Sequence, residues 1–245
     1  MSTPTLAAAP YPQPQSTAIA PVWHTAGVFL LLAGVAALGL HAHSGDHMNQ
    51  GRNRLVGYLI TMAAEWLIVG FIVLGQRWGG ASFRVLAGSF APTVRTVLRD
   101  LGIALAFLLV AQIVLGITTA LVGRFIHSNP NAVLKNLMPH TAVEIAAYLL
   151  LALTAGICEE TIFRGYLQRQ LTAWTASAAA GLTLQGILFG AAHAYQGPGM
   201  MIVIAVYGCM FGSLALWRKS LRPGMMAHFL QDAIGGLLLA KFLPK

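Results

Sequence analysis

The chain has 245 residues, of which 57% are hydrophobic and only 9% charged, and its formal net charge is +8. A soluble domain carries about a quarter charged residues, so these few charges cannot coat a water-soluble globule of this size. A nucleic-acid partner is not expected either, because the Lys and Arg residues stand singly or in small groups between apolar runs. That is the distribution of topology signals and lipid-headgroup contacts.

Residues 1–20 are rich in Pro, Ala, Ser and Thr and hold no Lys or Arg. They lack the positive start of a signal peptide and are expected to be a disordered tail. Apolar runs follow at about 22–40, 55–74, 101–122, from 141 through Cys158 into a polar stretch, 176–194, 200–217 and 223–242. In lipid each run must be helical, since every backbone N–H and C=O needs an internal partner. The fold class is therefore all-α: a polytopic transmembrane helical bundle of about seven crossings. Residues 21–139 are taken as N-terminal transmembrane helices and residues 140–245 as a catalytic core. Residues 83–99 mix Arg84, Arg95 and Arg99 with apolar residues and Pro92, and are expected to be interfacial. No internal repeat is visible. With the N-terminus cytoplasmic, the inside loops hold nine Lys and Arg and the outside six, out of 15. The positive-inside rule then favours that orientation in an inner, or plasma, membrane. Cys158 and Cys209 lie far apart in apolar stretches and suggest no disulfide framework.

Charged groups in a bilayer each need a reason, and the chain has only seven acidic residues. Glu159 and Glu160 end the fourth run, and Arg164 lies four residues past Glu160 on the same helical face. Glu159 points elsewhere and is left for another partner or a task as general base. His193 follows Phe189, Gly190, Ala191 and Ala192, where small residues let another helix come close. His228 and Asp232 share one face of the last run, so Asp232 can orient the imidazole. Singly, each element reads as a structural bridge or a helix–helix hydrogen bond. Together, on three successive parts of a charge-poor region, they read as a site.

The three parts, Glu159-Glu160-x-x-x-Arg164, Phe189-x-x-x-His193 and His228-x-x-x-Asp232, resemble the signature of the CAAX protease and bacteriocin-processing (Abi) family, which includes the type II CAAX prenyl endopeptidases. The resemblance covers about residues 140–240. It implies an intramembrane endopeptidase in which Glu159 is the catalytic carboxylate and His193 helps it activate water. It implies that His228 and Asp232 lie opposite, stabilising the oxyanion or orienting substrate, and that Glu160, Arg164 and Phe189 support the site. Since a negative Asp is a poor oxyanion donor, His228 takes that role and Asp232 the orienting one. Two routes to the nucleophile are open: Glu159, His193 and His228 hold a divalent metal such as Zn²⁺, or Glu159 acts with no cofactor. There is no His-Glu-x-x-His. The partners implied are membrane lipid and a peptide or lipidated-protein substrate; oligomeric state is not readable. An ion-coupled transporter, or a non-catalytic immunity or scaffold protein, would also place such groups in helices.

The site closes only if the fourth helix continues to about Leu171 and the fifth ends later than its hydropathy suggests. Other groups have blander expectations. His41, His43, Asp46 and His47 form a solvated loop rather than a metal site; Glu65 is structural or lines a cavity. His140 and Glu144 make an interfacial pair, Cys158 is a small buried side chain rather than a nucleophile, and Tyr195 and Tyr207 pack or sit at an interface.

Overall fold

The computed structural model describes residues 18–43, 54–78, 93–126 and 137–242. Residues 1–17, Asp46, His47 and residues 83–92 lie outside it, and with them the expectations placed on the tail and most of the interfacial segment; His41 and His43, expected in a loop, are helical instead. Among the described residues every regular element is helical: α1 (Val22–His43), α2 (Arg54–Trp78), α3 (Val94–Val122), α4 (Ala142–Thr175), α5 (Ala178–Ala192), α6 (Pro198–Arg218) and α7 (Arg222–Phe242). Five of these, α1, α2, α3, α4 and α6, are long and apolar enough to cross a membrane. The outward faces carry large apolar side chains such as Leu30, Leu67 and Leu109, which fits lipid as their solvent. α5 has only 15 residues, about 22 Å at 1.5 Å per residue. α7 carries His228, Gln231 and Asp232 in its middle. These two of the seven expected crossings are thus the short and the polar helices, and both face the site.

The ends of the helices follow local chemistry. Thr93 accepts from Thr96 N–H and starts α3, earlier than the apolar run did, because Arg99 and Asp100 interrupt hydropathy without interrupting the backbone. Thr141 and Glu144 make a capping box at α4. There the Glu144 carboxylate accepts from the backbone N–H of His140 at 2.7 Å and of Thr141 at 3.0 Å. The expected His140–Glu144 pair is thus a cap on His140's backbone. Ser177 caps α5, and Pro198 opens α6 at its first turn, where no N–H is required.

α4 is the central element. Its 34 residues span about 51 Å, well beyond the roughly 30 Å hydrocarbon core. It contacts α2, α5, α6 and α7; α7 also packs on α3, and α1 on α2. Within α4, residues Glu160–Leu167 form a π-helical segment, all eight of them buried. The chain before α1 is tied to the far half of α4, because the Gln170 amide accepts from Ile19 N–H and donates to the Ala20 carbonyl, both at 2.8 Å.

Candidate active site

α4 runs unbroken to Thr175 and α5 packs back along it, so that the His193 ring at the end of α5 meets Phe189, whose ring also meets that of His228. The first condition for closing the site is met. The second does not hold: α5 ends at Ala192, with His193 as its C-cap, two residues before the end of the apolar run. Hydropathy stops at the polar residues after Cys158 because it scores side chains, whereas the helix continues through them with its polar groups turned inward.

Two glycines let α7 lie close on α4. A methyl group on Gly156 would meet the Met225 carbonyl oxygen at 2.9 Å, and one on Gly224 would meet Glu160 Oε2 at 2.9 Å. This close approach delivers His228 to the glutamates. The His228 ring places Nδ1 3.1 Å from Glu160 Oε1. It places Nε2 3.6 Å from Glu159 Oε2 and 3.6 Å from Asp232 Oδ2. Glu160 Oε1 also accepts from Arg164 Nη1 at 2.8 Å, the expected (i, i+4) pair. Arg164 is fully buried: its second Nη donates to the Gly208 carbonyl, and its guanidinium lies over Phe189 at 4.3 Å and Phe211 at 4.9 Å from the ring centres. Phe189 therefore holds the arginine by a cation–π contact, while its other neighbours are the rings of Phe163, His193 and His228.

His193 Nδ1 lies 2.9 Å from the Phe189 carbonyl oxygen. A carbonyl only accepts, so Nδ1 carries the hydrogen and Nε2 keeps a lone pair. The same logic gives His228 an Nδ1–H toward Glu160. Glu159 differs from Glu160: its Oε2 is buried with no hydrogen-bond partner, while its side chain keeps 17% exposure. It is screened from bulk water yet reachable.

Sequence reasoning missed two contributors, the π segment and a pair of glutamines. The π segment has no composition signal. Gln168 and Gln185 donate to the Gly212 and Gly208 carbonyls of α6; the Gly-x-x-x-Gly spacing of α6 was the available clue. Glu65 of α2 is buried and lies in the electrostatic reach of Glu159, His228 and Asp232, so it lines the site rather than pairing with an Arg across the bundle. Cys158 is wholly buried and Cys209 half-buried, both as free thiols, as packing residues would be. Tyr207 stacks on Phe107 and meets Phe211 at a tilt of 47°. Tyr195, in the short turn after α5, puts its ring 5.9 Å from His193; burial pushes its hydroxyl up to about 12, so it stays a neutral partner. His41 at the end of α1 is exposed. Among the described residues no three His, Cys, Asp or Glu side chains are placed to hold a metal ion together. Glu159, His193 and His228 are thus not gathered into a cage.

Residues 141–234 match the family model Rce1-like, described as type II CAAX prenyl endopeptidase Rce1-like. This stretch, less than half of the chain, is similar to the type II CAAX prenyl endopeptidases. It runs from the cap of α4 to two residues past Asp232 and so contains all three motif parts. No curated protein and no solved structure matches the chain.

Proposed function

We propose that the chain is an integral-membrane endopeptidase of the CAAX type in which Glu159 activates water. The observation that carries this reading is the convergence of Glu159, Glu160 and Asp232 on the single His228 ring inside an apolar bundle. Residues 140–245 are the catalytic core in this reading, and residues 21–139 hold it in the bilayer, with the N-terminus cytoplasmic.

Amide hydrolysis needs an activated nucleophile and a stabilised oxyanion. Glu160 is committed to Arg164 and His228, whereas Glu159 Oε2 has no hydrogen bond and is free to accept a proton from water. The lone pair on His193 Nε2 positions that water. As oxygen attacks the carbonyl carbon, the water proton passes to Glu159 and negative charge forms on the carbonyl oxygen. An Nε2–H of His228, its charge balanced by the three carboxylates around it, donates to that oxyanion, and Asp232 holds the ring in place. The C–N bond then breaks, and the leaving amine takes the proton from Glu159. The substrates proposed are prenylated CAAX-type proteins, with other membrane-associated peptides as the alternative arm of the test.

The test is cleavage of a panel of farnesylated CAAX peptides and unmodified membrane peptides by the full-length protein in liposomes. Wild type is compared with Glu159→Gln, with and without chelator. Cleavage by wild type alone, indifferent to chelator, is expected. Loss with chelator would require a metal in the step assigned here to Glu159. Equal cleavage by both forms would remove Glu159 from the chemistry, and no cleavage of any peptide by a folded wild type would remove the protease reading.

A further inference from the structure

A cavity of about 360 Å³ opens between the second half of α4, the end of α6 and the start of α7. That volume falls within the range of small-ligand sites, roughly 300–1,000 Å³. Arg164, Gln168, Arg169, Leu216, Lys219 and Ser220 line it, and no acidic side chain does among the described residues. The nearby acid is Asp100, already faced by Arg99, Arg218 and Arg222. The inner wall is polar and incompletely satisfied: Arg164 Nε and Gln168 Oε1 are buried without a hydrogen-bond partner, on side chains only 2% exposed.

The mouth of the cavity has the character of a membrane interface. Trp217 is 68% exposed and Leu216 45%, and the Arg218 guanidinium lies 5.3 Å from the Trp217 ring centre. Exposed Trp beside Arg and Lys at a helix end marks the headgroup level. α6 has 21 residues, about 32 Å at 1.5 Å per residue, which matches a hydrocarbon core of about 30 Å and puts Lys219 and Ser220 among the headgroups.

We propose that this cavity binds the phosphate headgroup of an anionic phospholipid. Arg169 and Lys219 face the phosphate, the Ser220 hydroxyl donates to it, and the acyl chains run down the apolar surface of Leu216 and Trp217. A site of this kind combines cations that draw the headgroup with an apolar flank that holds the tails. It is distinct from the proposed peptide chemistry and stands whether or not that reading holds.

The experiment is native mass spectrometry of the full-length protein purified with equal amounts of phosphatidylglycerol and phosphatidylcholine. Wild type should retain the anionic lipid at least tenfold over the zwitterionic one. Lys219→Gln removes an exposed cation and should lower that preference about fivefold. Arg169→Gln with Lys219→Gln should bring it near unity, and Lys241→Gln, at the opposite end of α7, should leave it unchanged. If the double variant does not fold, the single Lys219→Gln variant carries the test. Equal retention by wild type, or a preference unmoved by Lys219→Gln, would overturn the proposal. So would an equal loss in Lys241→Gln, since net charge alone would then suffice. Displacement of the lipid by millimolar glycerol phosphate would reassign the cavity to a soluble anion.

Discussion

Two buried ionic clusters lie on the same helices and are unbalanced in opposite directions. At the bundle end, Asp100 is 1% exposed and faces three arginines, with Arg222 Nε at 2.9 Å and the Arg218 and Arg99 guanidiniums at 3.6 and 3.5 Å. In the middle, Glu159, Glu160 and Asp232 surround His228, with Arg164 the only arginine paired to them among the described residues. Surplus positive charge at a membrane surface is relieved by water and headgroups. Surplus carboxylate in the bundle interior has no such outlet, so it must be offset by the imidazole and by the species that reacts there. The first cluster reads as architecture and the second as chemistry.

The strongest way to break that distinction is to remove one carboxylate from each cluster. Glu159→Gln should lower turnover of a cleavable peptide about 10²–10⁴-fold while leaving the thermal midpoint at or above that of wild type, because a buried carboxylate without a hydrogen bond is lost. A midpoint that fell in step with activity would make Glu159 structural. Asp100→Ala should do the reverse. Removing the shared acceptor leaves three arginines facing one another, two of them less than a quarter exposed, and should cost about 3 kcal/mol in unfolding from detergent micelles, with turnover per folded molecule unchanged. Full stability with impaired turnover would reverse the two assignments.

This division was partly legible in the sequence. The apolar runs gave the helices, and the Glu160–Arg164 spacing gave the buried pair, because four residues along a helix bring two side chains to one face whatever surrounds them. The three motif parts point to one site, but hydropathy alone ends the fourth run at its polar residues, whereas the helix continues to Thr175. Polar side chains can continue a transmembrane helix when neighbouring helices satisfy them, as Gly208 and Gly212 do for Arg164, Gln185 and Gln168. Glu65 shows the remaining limit: its place on α2 is readable, but which helix α2 packs against depends on long-range contacts that no local pattern encodes. The basic end was readable only as loop charges, since the pairing of Asp100 with Arg222 joins residues 122 positions apart.

Within the architectural cluster the three arginines should contribute unequally, and this sharpens the comparison. Arg222 donates a charge-assisted hydrogen bond to Asp100 Oδ2 at 2.9 Å, a contact worth about 1.5–3 kcal/mol when desolvated. Arg218 and Arg99 meet Oδ1 only at ion-pair range, and that oxygen has no hydrogen bond. Arg222→Gln should therefore lower stability by about 2 kcal/mol, and Arg218→Gln by less than about 1 kcal/mol. The Arg218 contribution should shrink toward nothing in 1 M salt, where the screening length falls to about 3 Å, while the Arg222 contribution persists. Equal, salt-sensitive losses at both positions would mean that the end cluster acts as a diffuse surface field rather than a bonded joint. The positions of α3 and α7, and with them the approach of His228 to Glu160, would then depend on the Gln112–Gln231 hydrogen bond, the packing of Ala104 and Ala111 with Phe211 and Ala227, and the glycine-lined α4–α7 contact.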